Sequence, residues 1–155
     1  MGDIKRKKKL IRRPKKLYEK PRIEEENLLV QKYGLKNKKE VWKVETSVSK
    51  LRRRAKELIK GDDKEREEFF KKLNHMGFSV KETADVLALT KEDWLNRRLQ
   101  TIVFKKNLAT TPKQARQLIT HKHVLVNSKA VGSPSFIVTK DLEDKIELNK
   151  MRKKE

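Results

Sequence analysis

The chain has 155 residues, with 42 Lys and Arg against 22 Asp and Glu, a formal charge of +20 and a pI near 10.2. That balance points to a polyanionic partner (nucleic acid, an anionic membrane or an acidic protein) and leaves the fold open. The absence of cysteine excludes disulfides, thiolate zinc sites and cysteine nucleophiles, and no apolar run approaches the roughly 20 residues that span a bilayer.

The N-terminus lacks the apolar stretch of a secretory signal, and Arg6 breaks the myristoylation pattern that Met1-Gly2 would open. A soluble, cytoplasmic protein with no membrane association is therefore expected. Residues 1–20 carry ten Lys and Arg and two acids. Their few apolar side chains cannot bury enough surface to order the segment by itself. Lys5, Arg6, Lys7, Lys8, Lys9, Arg12, Arg13, Lys15 and Lys16 are expected to form a basic arm that orders on a polyanion.

Pro21 can open a helix that runs to Tyr33 and stops at Gly34. The next stretch, NKKEVWKVETSVSKLRRRAKELIKG, is the clearest long helix. Asn37 with Glu40 has capping-box spacing. Val41, Val44, Val48, Leu51, Ala55 and Leu58 form one apolar seam, as in a helix packed within a small bundle. Arg52, Arg53 and Arg54 spread around this helix and are candidates for phosphate contact. Asp62 or Asp63 can cap a third helix with Phe69, Phe70, Leu73 and Met76 inward, ended by Gly77. Ser79 with Glu82, and Thr90 with Asp93, mark two further starts. The second opens one long helix, LTKEDWLNRRLQTIVFKK, with Trp94, Leu95, Leu99, Ile102 and Val103 inward.

The period changes after Thr111. Thr111 as cap and Pro112 as first helical residue begin a short helix. Ala115, Leu118 and Ile119 point inward, and Lys113, Gln114, Arg116, Gln117 and Thr120 outward. HVLVN then alternates as a strand, NSKAV suggests a turn into a second, SPSFIV a third with Pro134 on an edge, and LEDKIEL a fourth. The expected class is α+β: an α-helical N-terminal region with a basic arm, and a small C-terminal module of two helices and four strands.

No catalytic or phosphate-cradling motif is present. Three histidines without cysteine are thin support for zinc. No metal, cofactor or catalytic residue is expected. A binding reading is better supported. Arg98, Lys105 and Lys106 lie along one helix, and Lys113, Gln114, Arg116 and Gln117 on the exposed side of the next. His121, Lys122 and His123 stand at the turn after it. If the two helices pack through their apolar faces, these polar residues share a rim. Fixed Arg and amide groups on a folded surface can recognise the shape of a nucleic acid, while lysine tails add salt-dependent affinity without specificity.

The stretch RRLQTIVFKKNLATTPKQARQLITHKHVLVNSKAVGSPSF, residues 97–136, strongly resembles the small RNA-binding module of the fourth protein of the small ribosomal subunit. The same module recurs in some tyrosyl-tRNA synthetases and pseudouridine synthases. LTKEDWLNRRLQT and KYGLKNKKEVWK resemble the archaeal and eukaryotic branch of that ribosomal family, so the resemblance spans most of the chain. It implies a structural constituent of the small subunit that binds small-subunit rRNA and nucleates assembly of its 5′ domain. Neighbouring small-subunit ribosomal proteins would be partners, and mRNA would pass nearby at the entrance side. By matching position it implies RNA-facing roles for Arg98, Thr111, Lys113, Gln114, Arg116, Gln117, His121 and Lys122, and a structural turn role for Asn127.

Asn107 stands where many members have Gly, and Ser128 where Gly commonly follows Asn127. The implied organisation is a basic arm (1–21), an α-helical rRNA-binding region (22–96), the RNA-binding module (97–148) and a charged tail (149–155). A free RNA chaperone or ribosome-rescue factor using the same module is the alternative. An RNA-modifying enzyme would need a catalytic domain that residues 1–96 do not resemble. A DNA-compacting protein would bind duplex DNA and folded rRNA equally.

Overall fold

The computed structural model describes residues 11–149. Lys5, Arg6, Lys7, Lys8 and Lys9 of the expected arm, and all of the expected tail after Asn149, lie outside the described residues.

The N-terminal half is a bundle of five helices. Helix α1 spans Lys20–Tyr33 and ends as Gly34 turns left-handed at φ 59°. Helix α2 spans Lys38–Leu58. Its expected seam is the one that is buried: Val41, Val44, Val48, Ala55 and Leu58 are inside. Helix α3 (Asp63–His75) stops at Gly77, where a positive φ reverses the chain. Helices α4 (Thr83–Ala88) and α5 (Lys91–Asn96) complete the bundle. Two apolar clusters line α2. One joins Tyr33, Leu35, Val41, Val44, Val48 and Leu95. The other joins Ala55, Leu73, Phe78, Val80 and Val86. Leu89 and Trp94 pack against both and make the two continuous.

The C-terminal module follows. Helix α6 (Leu99–Lys105) and helix α7 (Pro112–Thr120) pack on a three-stranded antiparallel sheet of order β2-β1-β3. Its strands are β1 (Val124–Val126), β2 (Lys129–Ala130) and β3 (Ile146–Leu148). Val126 pairs with Lys129 across a two-residue turn. Asn127 and Ser128 both have positive φ there, 50° and 63°, as a type I′ hairpin demands. Ser128 therefore takes the conformation that Gly commonly supplies. Asn107, at φ 56°, does the same between α6 and α7. Leu99, Ile102, Val103, Ala115, Ile119, Val124, Val126, Val138 and Ile146 make the module's own core.

Three expectations fail, each for a backbone reason. The single helix after Thr90 is two helices, because Arg98 is extended at ψ 142°. Its residue bridges Ile137, and the Val138 N–H donates to the Arg97 carbonyl at 3.0 Å. SPSFIV is not a sheet strand. Its carbonyls serve the start of α6 instead: Leu99 N–H donates to Phe136 O at 2.8 Å and Gln100 N–H to Pro134 O at 3.4 Å. Those N–H groups have no acceptor within their own helix. LEDKIEL divides into a helical turn, α8 (Lys140–Glu143), and β3. The module thus has three strands, not four, and a third short helix.

Two cap expectations also shift. The α4 cap is Glu82 with Asp85, not Ser79 with Glu82. The Asp85 carboxylate accepts from the Lys81 and Glu82 N–H groups, and those backbone donors hold its carboxyl below the ordinary range. Asn37 makes no side-chain cap bond, and the Glu40 carboxylate accepts from the Lys36 N–H at 3.2 Å rather than from Asn37.

Candidate nucleic-acid interface

Helix α7 presents the densest set of predicted residues. Thr111 Oγ1 accepts from Gln114 N–H at 3.1 Å, so its hydroxyl caps the helix. Gln114 folds back, its Oε1 accepting from Thr110 N–H at 2.8 Å. Thr111, Lys113, Gln114 and Gln117 are exposed together, with His121 and Lys122 at the helix end. The rings of His121 and His123 stack with centroids 6.2 Å apart. Lys122 carries the reversal after α7 at φ 60°, with its N–H on Ile119 O at 2.9 Å. Lys105 is also exposed. The exposed residues of α7 and of the turn after it are thus contiguous in the chain and open to solvent.

Other predicted residues lie elsewhere. Arg98 was expected on the rim, but it is only 4% exposed. Its guanidinium donates to Glu40 Oε2 at 2.6 Å. Helix α6 begins by burying Leu99, and the extended backbone at Arg98 turns its side chain toward α2. Arg116 keeps 24% of its side chain exposed and donates to Glu40 Oε1 at 2.9 Å. Lys106 donates to the Glu143 carbonyl and lies 3.7 Å from Asp144.

The triplet on α2 is divided. Arg52 donates to the Leu89 carbonyl at 2.6 Å, tying α2 to the end of α4. Arg53 pairs with Glu57 at 3.6 Å and Arg54 with Glu65 at 3.1 Å. Only Arg53 and Arg54 face solvent. Of the arm, Arg12, Arg13, Lys15 and Lys16 are exposed.

Residues that sequence reasoning missed join the two halves. Glu40 receives both Arg98 and Arg116. Burial pushes its carboxyl up, but the hydrogen bonds and charges of the two arginines outweigh this and hold it below the usual carboxylate range. Gln100, buried beside them, donates through Nε2 toward Tyr33 O and Gly34 O at 3.0 Å and Pro112 O at 2.9 Å. The end of α1 thereby meets the start of α7. A Cβ at Gly34 would stand 2.9 Å from Pro112 Cβ, so glycine is required there by contact as well as by φ.

Nearby, Tyr33 donates to Glu92 at 3.2 Å. Burial, then the Glu92 charge and hydrogen bond, push its phenol up to about 12. The only sequence signal for this joint was an amide inside the apolar run LQTIV. Glu40 itself looked like a capping residue. Among the described residues, no group of three His, Asp or Glu is placed to hold a metal ion, and no helix is long and apolar enough to cross a membrane.

The sequence has known relatives. Residues 97–144 match the S4 domain family, which coincides with α6 through α8. The chain is 46% identical over 153 residues to the small ribosomal subunit protein uS4 of Methanococcus aeolicus, covering 94% of this chain and 86% of that protein. It is 46% identical over 154 residues to the uS4 of Saccharolobus solfataricus, covering 95% and 85%. It is 45% identical to the uS4 of Saccharolobus islandicus over the same length. Matches of that length take in both the helical bundle and the S4 module, and the chain belongs to the uS4 family of small ribosomal subunit proteins.

Proposed function

We propose that this chain is a structural, non-enzymatic constituent of the small ribosomal subunit that binds small-subunit rRNA directly. The observation that carries the reading is the near full-length similarity to proteins named as small-subunit components. The exposed rim of Lys113, Gln114, Gln117, His121 and Lys122 on a matched S4 domain supports it. Arg116, partly exposed at the inner edge of that rim, adds a guanidinium whose orientation Glu40 sets. Because A-form RNA hides its major groove, recognition is of backbone, 2′-hydroxyl and junction shape. The bundle and the module, tied by Glu40 and Gln100, would hold several RNA helices in one arrangement. That is the physical basis on which it would nucleate assembly of the 5′ domain. Neighbouring small-subunit proteins, and mRNA at the entrance side, are the further partners of this reading.

The test is stoichiometry on small subunits sedimented through a high-salt gradient. One copy per subunit, retained after the wash, is the expected result. Protein that is mostly free, or lost in salt, would replace the reading with a free chaperone or rescue factor. Binding of the pure protein to isolated 5′-domain RNA, with no other protein present, tests the nucleating role.

A further inference from the structure

We propose that the trough between the N-terminal arm and α2 is a binding site for an extended single-stranded RNA segment. This rests on the RNA-binding reading above and narrows its ligand. The trough has a volume of about 1460 Å³, beyond the roughly 300–1,000 Å³ of small-molecule pockets. Ile11, Pro14 and Trp42 are its apolar side chains, and every other lining residue is charged or hydroxyl-bearing.

The arm is pinned to the bundle at two points. Arg12 N–H donates to Thr46 Oγ1 on α2 at 3.0 Å. The Arg22 guanidinium donates to the carbonyls of Lys16 and Leu17, both at 3.0 Å. Arg22 is itself held by Glu26 at 2.5 Å. Glu26 is 3% exposed and also accepts the Trp42 indole N–H at 2.9 Å. A buried carboxylate thus fixes both the base of the arm and the aromatic ring that lines the trough.

The walls carry the charge that a phosphodiester needs. The arm supplies Arg12, Arg13, Lys15 and Lys16, and α2 supplies Lys39, Lys43 and Lys50. Among the described residues no carboxylate pairs with any of these seven. The two acids at the trough are engaged, Glu19 with Arg22 at 3.9 Å and Glu45 with Lys91 at 3.7 Å. Cations along a strand's backbone, with an aromatic face for a base, are the chemistry that grips single strands. Residues 12–16 span at most roughly 18 Å when extended. That bridge is too short to arch over a double helix, so a duplex reaches only the rims.

The test uses the full chain and three probes: a short unstructured oligouridylate, an RNA duplex of equal length, and isolated small-subunit rRNA. The trough variant Lys39→Gln/Lys43→Gln/Lys50→Gln is compared with Lys60→Gln/Lys64→Gln/Lys72→Gln, which removes equal charge from exposed positions outside the trough. The trough variant should lose at least about tenfold in oligouridylate affinity. Its salt slope should fall by about 2, near 0.7 for each phosphate that is no longer neutralised. The control should change little. Oligouridylate should quench tryptophan fluorescence, and Trp42→Phe should remove that quenching, since Trp94 is stacked on Phe78.

Equal losses in the two triple variants, unchanged binding by the trough variant, or tighter binding of the duplex would each overturn the proposal. Strong rRNA binding with no oligouridylate binding overturns it alone. No rRNA binding by the unaltered chain overturns the RNA-binding reading with it.

Discussion

Glu40 carries one negative charge between two guanidinium groups, and among the described residues Arg98 pairs with no other acid. Its carboxyl is held below the ordinary range, against about 4.3 in an unfolded chain. The sign follows from linkage. A lowered folded-state value means that the stabilisation is complete above the unfolded value and is lost as pH falls through the folded one. Glu40→Gln should cost about 3 kcal/mol at neutral pH, because a buried arginine loses its counter-charge. In urea unfolding the two proteins should converge as pH falls through the lowered folded-state range of Glu40 and its carboxylate is protonated. An undiminished gap in acid would assign the cost to packing.

Arg116→Ala should weaken discrimination for folded rRNA by about 1–3 kcal/mol if the guanidinium makes a specific polar contact. Glu40→Gln separates contact from positioning. It leaves the Arg116 charge in place but removes the carboxylate that orients it, so an equal loss of discrimination in both variants would show that the Arg116 contact depends on that orientation.

At the scale of elements, junctions matter more than helix interiors. Thr111 and Pro112 set the start of α7, and Thr111→Ala should cost about 1 kcal/mol. Gly34 ends α1 with φ 59° and almost touches Pro112. Gly34→Ala should cost about 2 kcal/mol or more, combining the left-handed penalty with a forced separation of α1 from α7. A fall in Tm within the error of the unaltered chain would show that the contact yields.

Lys122 bears the left-handed penalty without being glycine. Lys122→Gly should raise stability by about 1 kcal/mol while lowering RNA affinity, two readouts of opposite sign from one substitution. The division of α5 from α6 belongs at this scale too. Trp94, Leu95, Leu99, Ile102 and Val103 keep a helical apolar period across it. Nothing in that period announces that Arg98 pairs with Ile137.

For the whole molecule, the cations behind the charge of +20 divide into internally bonded and outward-facing groups. Arg52, Arg97, Arg98 and Lys106 are tied to internal carbonyls or carboxylates. The arm's Arg12, Arg13, Lys15 and Lys16, and the α7 rim, face outward. Removing residues 1–20 should therefore lower RNA affinity and flatten its salt dependence, because each phosphate left without a cation reduces the slope by about 0.7–0.9. Discrimination between folded rRNA and other RNA should survive. A truncation that abolishes discrimination would place specificity in the arm. Filter binding across a salt series, with rRNA and a scrambled competitor, makes the distinction.

Periodicity and local chemistry determined much of this protein from sequence alone. The α2 seam, the Gly34 and Gly77 stops, the Thr90–Asp93 and Thr111 caps and the Asn127 turn all depend on residues within a few positions of one another. The polar face of α7 was legible for the same reason, and so was the family through residues 97–136. Long-range partnership was not. Glu40 meets Arg116 across 76 positions, Gln100 meets Tyr33 across 67, and Arg98 leaves the rim for the interior. SPSFIV has strand composition, yet its carbonyls serve the N–H groups of α6. A side chain's type states what it can bond. Only the packed chain decides which of several acceptors reaches it first, because burial makes one partner obligatory and removes the others.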